Sequence, residues 1–109
     1  MVTLLLKNLK EVAENFHNEI ETICKEKEAY YNELFKKYDK DLTLEVIFDH
    51  SSSLYKVSAS IDLKSKKIVV VEEDKDPIKA LNSVFSSLKK AVKKQHDLER
   101  KDYEYKKKR

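Results

Sequence analysis

The 109-residue sequence contains no glycine and no tryptophan, and it has one proline, one cysteine and one methionine. Each shortage excludes something. Phosphate-cradling loops and dinucleotide fingerprints need glycine for positive backbone angles and close approach to the ligand, so neither is available here. The lone Cys24 cannot form an internal disulfide, in keeping with a reducing cytoplasm. No apolar run approaches the roughly eighteen residues that span a bilayer. The apolar patch between Met1 and Leu9 has neither a charged leader nor a small-residue cleavage site, so a soluble protein with no membrane partner and no secretory signal is expected.

Catalytic and metal chemistry are also poorly served. On one helix His17 and Cys24 would stand about 10 Å apart along the axis, too far for a nucleophile and its base. They read as an exposed histidine and a core-edge cysteine. His50 and His96 have no histidine or carboxylate at metal-ligand spacing. Glu72, Glu73 and Asp74 precede a helix start, where negative charge suits the positive end of the dipole. No enzyme, metal, cofactor or small-molecule substrate is expected.

What the chain does have is charge and enough apolar residues to fold. Leu, Ile, Val and Phe supply 31 residues, above the fifth or so of composition below which chains tend to stay disordered. The length suits one domain with one core. Residues 1 to 85 hold 13 basic and 16 acidic side chains and residues 86 to 109 hold 10 and 4, so a body of net charge −3 carries an end of +6. That asymmetry is an electrostatic footprint for a polyanion, or else a solvated lysine tail.

The pattern along the chain predicts strands and helices in a definite order. Val2 to Leu6 is an apolar run too short for periodicity to separate a strand from the first turn of a helix, and the strand is the favoured reading. From Lys10 to Tyr38, Val12, Phe16, Ile20, Ile23, Tyr30 or Tyr31, Leu34 and Tyr38 recur at helical spacing, which predicts one long amphipathic helix. Glu21 with Lys25, and Glu33 with Lys37, support its wet side. Leu42 to Phe48 alternates as a strand, Asp49 to Ser53 reads as a polar turn, and Tyr55 to Leu63 alternates again. Lys64 to Lys67 turns the chain into Ile68 to Val71, a β-branched run expected to be covered on both sides. Asp76 and Pro77 are a capping residue and a first-turn proline for a second helix. That helix is expected to fray near Lys101. The predicted fold is α+β in the order β-α-β-β-β-α, one four-stranded sheet with two helices packed on one face.

The second helix carries the most information about function. At about 100° per residue, Ile78, Leu81, Phe85, Leu88 and Val92 share one side. Lys79, Lys89, Lys90, Lys93, Lys94, Arg100 and Lys101 fall in an arc centred nearly opposite. Ser83, Ser86 and Ser87 are expected to face outward too, small enough to admit a phosphate backbone. A solvated helix face usually mixes acids with its lysines, yet residues 77 to 96 hold no acid at all. Lysines on a helix supply charge without base readout, so backbone and shape recognition of RNA is expected.

Two segments of this helix bear a family likeness. Asp76, Ile78, Ala80, Leu81 and Asn82 occupy the places of an aspartate, an aromatic, an alanine, an aliphatic and an aspartate. Leu88-Lys89-Lys90-Ala91-Val92-Lys93-Lys94-Gln95-His96 matches a leucine, basic pairs and an apolar pair running into lysine and histidine. With the element order, these resemble the ribosome hibernation-promoting factor family, also called ribosome-associated inhibitor A or the sigma-54 modulation family. Ile78 stands where the family usually has tyrosine, the strand turns lack glycine, and the first helix reads about two turns longer.

The resemblance implies binding in the decoding region of the small ribosomal subunit, across the tRNA and mRNA path, which silences and protects ribosomes in idle or stressed cells. By position, Lys90, Lys93, Lys94 and His96 would touch rRNA backbone, with Lys89 and Arg100 beside them and Lys56 on the wet sheet face. The implied partners are the ribosome and its small-subunit rRNA. Residues 1–102 would form a single ribosome-binding domain and 103–109 a basic tail. The chain would correspond to a short form without the extra dimerising domain, cytoplasmic and monomeric when free.

Two other readings compete. A double-stranded RNA-binding domain shares the helix, three strands, helix order, but its lysines open the last helix, where Asp76 to Ser87 has only Lys79. A protein-interaction adaptor could use the first helix as a coiled-coil arm, although heptads are not sustained and Lys27 falls at an apolar position.

Overall fold

A computed structural model of the chain describes the backbone of residues 1–107 and the side chains of residues 1–101. Strand β1 (Val2–Lys7) leads through 3-10 turns at Leu9–Glu11 and Glu14–Phe16 into helix α1 (His17–Leu34). Strands β2 (Leu42–Ser51), β3 (Leu54–Asp62) and β4 (Lys67–Asp74) follow, then helix α2 (Pro77–Lys107). One sheet has the order β1-β2-β3-β4. β1 runs parallel to β2, with Val2 opposite Leu42 and Lys7 opposite Ile47. A parallel neighbour needs a long crossover, and α1 supplies it. The other two pairings are antiparallel. The fold is α+β in the expected order. β1 also separates it from the simple helix, three strands, helix arrangement.

Alternation along the strands decides which face is covered. Leu44, Val46 and Phe48 of β2 and Val57, Ala59 and Ile61 of β3 are buried, while Thr43, Lys56 and Asp62 are exposed. α1 lies over β1, and α2 over β3 and β4. The helices bring Ile20, Cys24, Tyr31, Leu81, Phe85, Leu88 and Val92 into the same single core. A fully buried side chain of this size contributes about 1.5–3 kcal/mol over an exposed one, so the covered face supplies most of the stability.

The first helix is shorter than its periodicity predicts. Val12 and Ala13 adopt extended backbone, so Val12 and Phe16 reach the core from the two 3-10 turns instead of from a helix. The His17 ring nitrogen Nε2 lies 2.7 Å from the Val12 carbonyl, which makes His17 a half-buried tie and not an exposed residue. At the other end Phe35 leaves helical geometry and is buried, stacked parallel to Tyr31 at 6.4 Å and edge-on to Tyr38 at 5.0 Å. The helix therefore spans 18 residues. Cys24 is buried outright.

The sheet departs from expectation in two places. Asp49, His50 and Ser51 continue β2 and do not form a turn, because His50 stacks on Tyr55 across the strands with ring centroids 4.1 Å apart. The hairpin closes over Ser52 and Ser53, with Ser52 at φ 55°, a left-handed position usually given to glycine. Ile68 to Val71 is not covered on both sides. Ile68 is buried and Val70 half-buried, but Val69 is 57% and Val71 44% exposed on the open sheet face.

The two sheet edges are treated differently. Along β1, Asn32 of α1 accepts from the Val2 amide and donates to the Val2 carbonyl, both at 2.8 Å, and Glu28 accepts from the Leu4 amide at 2.7 Å. Helix side chains thus occupy backbone groups of the outer strand. β4 forms the opposite edge.

Candidate nucleic-acid interface

The candidate surface lies on α2, and the start of that helix is well defined. The Ile78 amide donates to Asp76 Oδ1 at 2.8 Å, and the Asp76 amide donates to Asp74 Oδ1 at 2.9 Å. Pro77, buried, takes the first helical position, where its missing amide hydrogen costs nothing. Glu72 does not serve the helix dipole as expected. It lies in β4, where Ser87 donates to its Oε2 at 3.0 Å, so Ser87 faces the sheet and not solvent. Ser83 and Ser86 are exposed.

Ala80, Leu81, Val84, Phe85, Leu88 and Val92 are buried on the sheet side of α2, which forces the intervening residues outward. Lys79, Lys89, Lys90, Lys93, Lys94, Arg100 and Lys101 are all exposed. Among the described residues no acid lies within ion-pair distance of Lys79, Lys89, Lys90, Lys93 or Lys94, whereas Arg100 sits 3.9 Å from Asp97. Lys90 and Lys94 are one turn apart, about 6 Å along the axis, well inside the roughly 10 Å screening length at 0.1 M salt. They act on a polyanion as one charged surface.

Two expected contacts are not brought to that surface. Lys56 projects from the opposite face of the sheet, where register places it between Asp49 and Glu73. His96 is half-buried against Phe35 and Tyr38, at 4.9 and 5.8 Å between ring centroids. Residues 103–109, assigned to a basic tail, have side chains outside the described residues, although the backbone of α2 is helical through Lys107 and does not fray near Lys101.

Two features of the site were not expected. In the groove between the helices, Lys89 lies over the Tyr30 ring at 5.4 Å and Lys27 over Phe85 at 5.9 Å. Lys27, out of place on a coiled-coil stripe, serves this helix-to-helix contact instead. The second is a clasp around Glu99. Tyr38 donates to Glu99 Oε1 at 2.7 Å, the Ser65 amide donates to Oε2 at 3.0 Å, and the Ser65 hydroxyl also reaches Oε2. Gln95 donates to Ser65 at 2.8 Å, and the Lys64 amide donates to the Tyr38 hydroxyl at 3.0 Å.

The clasp ties the exposed half of α2 to the β3–β4 turn and to the end of α1. Partial burial pushes the Glu99 carboxyl up, but bonds from Ser65 and Tyr38 and the nearby His96 outweigh it and hold it below its ordinary value. Burial and the bond to Glu99 push the Tyr38 hydroxyl up to about 12. The sequence did carry a trace of this arrangement, since Glu99 stands seven residues after Val92 and so on the apolar side of the helix. The exposed side of α1 carries Glu19, Glu26 and Glu33 at seven-residue spacing, which limits the basic surface on the α1 side. Among the described residues no group of three or more metal-ligating side chains comes together, and no helix is long and apolar enough to cross a membrane.

No protein-family model and no curated protein matches the sequence. The fold does have a solved counterpart. The chain is similar to the crystal structure of the N-terminal domain of Protein Y from Thermus thermophilus, with a TM-score of 0.58 and 19% sequence identity, covering 85% of this chain and 96% of that one. At that identity the likeness concerns the fold. It covers the β-α-β-β-β-α arrangement that presents α2.

Proposed function

We propose that the chain is a ribosome-associated hibernation factor that lays the basic arc of α2 on small-subunit rRNA. The observation that carries this reading is the exposed run of Lys79, Lys89, Lys90, Lys93 and Lys94 with no acid beside it among the described residues. It sits on a fold shared with the N-terminal domain of Protein Y, a ribosome-associated hibernation factor. Lysine ammonium groups are point charges without the planar fork of arginine, so they read phosphate positions and not base edges. A folded, structured RNA held in one shape is the partner that rewards such a rigid row.

Bound in the decoding region, the domain would occupy the tRNA and mRNA path and stop translation by exclusion, with no covalent step. Arg100 and Lys101 extend the row, and Gln95 and Glu99 fix its orientation through the clasp. Release would follow from competition by other polyanions, since phosphate contacts weaken as salt rises. The site of action would be the cytoplasm. The test is sedimentation of purified protein with ribosomes and separated subunits at low salt. Recovery with the small subunit is expected, and absence from every ribosomal fraction would overturn the reading. An adaptor working through α1 would instead bind a protein, be insensitive to salt and be indifferent to the α2 lysines.

A further inference from the structure

The β1 edge is occupied by Asn32 and Glu28, but among the described residues no side chain bonds the outer backbone groups of β4. The ladder from Tyr55–Asp74 to Asp62–Lys67 runs without a skipped residue, so no bulge bends β4 away, and the strand contains no proline. Every second residue therefore directs its amide and carbonyl outward from the sheet. Val69 and Val71 are exposed beside that edge. On the helix side, a groove of about 640 Å³ follows it, lined by Ile68, Val70, Ala91, Lys94 and Leu98. Leu98 is 49% exposed there.

The charge order of this edge is self-complementary. It opens with Lys66 and Lys67 and closes with Glu72, Glu73 and Asp74. We infer that β4 is a docking edge for a second copy of the chain, joined antiparallel about a two-fold axis at Val70. Face alternation restricts the register, because exposed residues must oppose exposed ones. Of the registers that satisfy this, centring on Val70 sets Lys67 opposite the second copy's Glu73, Lys66 opposite its Asp74 and Val69 opposite its Val71. Centring on Val69 leaves Lys67 opposite valine, and centring on Val71 brings Lys67 against Lys75. The axis stands perpendicular to the sheet, so the two α2 helices lie on one side and cover the groove at Leu98. The expected monomer becomes a reversible, concentration-dependent dimer.

Sedimentation velocity over a concentration series tests this, with circular dichroism confirming that each variant is folded. The wild type is expected to shift from monomer to dimer as concentration rises. Lys67→Glu replaces two attractive cross-strand pairs by repulsive ones and should weaken the dimer about tenfold. The double variant Lys67→Glu with Glu73→Lys restores the pairing in reversed sense and should recover most of that loss. Val69→Lys together with Val71→Lys should abolish association. A wild type that stays monomeric at its highest soluble concentration, or a dimer indifferent to Lys67→Glu, overturns the proposal. Neither result bears on ribosome binding, which the sedimentation with subunits reads separately.

Discussion

Replacing Glu99 tests whether the clasp holds the basic half of α2 in place. Three donors converge on its carboxylate: the Tyr38 hydroxyl, the Ser65 amide and the Ser65 hydroxyl. A shielded hydrogen bond to a charged group contributes about 1.5–3 kcal/mol, but solvent reaches this site, and screening reduces such contacts to about 1 kcal/mol or less. Three bonds at about 0.5–1 kcal/mol each give a loss of about 1.5–3 kcal/mol for Glu99→Ala. Tyr38→Phe removes two bonds, the one donated to Glu99 and the one accepted from the Lys64 amide, while its ring still packs on Phe35, so about 1–2 kcal/mol is expected. Urea unfolding at constant slope reads both values.

The same clasp carries a pH signature. The Glu99 carboxyl titrates lower in the folded state than the unfolded value of 4.5, so its contribution is present above 4.5 and is lost as pH falls through the folded value. The stability difference between wild type and Glu99→Gln should therefore shrink as pH is lowered from 7 towards 3. A Glu99→Gln protein as stable as wild type at pH 7, or a difference that does not change with pH, would refute the clasp as a stabilising unit.

Other consequences can be measured on the same protein. Changing Lys90, Lys93 and Lys94 together to alanine should flatten the salt dependence of ribosome binding by about two to three units of slope, and leave the urea midpoint unchanged because all three are exposed. Ser52→Gly should stabilise the fold by about 0.5–1 kcal/mol, since relief of the left-handed strain exceeds the entropy glycine adds to the unfolded chain. A thermal melt that falls or stays put would contradict that. Burial, with Glu21 and Glu28 nearby, pushes the Cys24 thiol up to about 11, so a thiol reagent at pH 8 should react slowly until urea exposes the side chain. Rapid labelling of the folded protein would show that α1 opens readily.

Strands were legible in the sequence because period-two alternation has few competitors. Leu42 to Phe48 and Tyr55 to Leu63 could only be half-buried strands, and Asp76-Pro77 could hardly be anything but a helix start. The first helix was overestimated because Val12 and Phe16 keep helical spacing while entering the core from short 3-10 turns, a distinction that burial periodicity does not make. Phe35 shows the reverse failure, as a core residue that ends the helix instead of extending it. The run from Ile68 to Val71 misled because β-branching reports a strand but not its position, and β4 is at an edge.

The basic arc was readable from helical spacing alone, and the serines only partly, since Ser87 is held by Glu72 across the helix–sheet seam. Lys56 and His96 were beyond that reading. Lys56 required knowing which sheet face the helices cover, and His96 required knowing that α1 ends in an aromatic cluster beside α2. Long-range contacts such as Tyr38 with Glu99 leave little local signal, because the partners stand 61 residues apart.

The most direct measurement is a cryo-EM map of ribosomes with the protein bound. Density for the domain is expected in the decoding region of the small subunit, with the Lys90, Lys93 and Lys94 side of α2 against rRNA backbone across the tRNA and mRNA path. Density at another site, or contact made through the open sheet face around Lys56 with α2 turned to solvent, would contradict it.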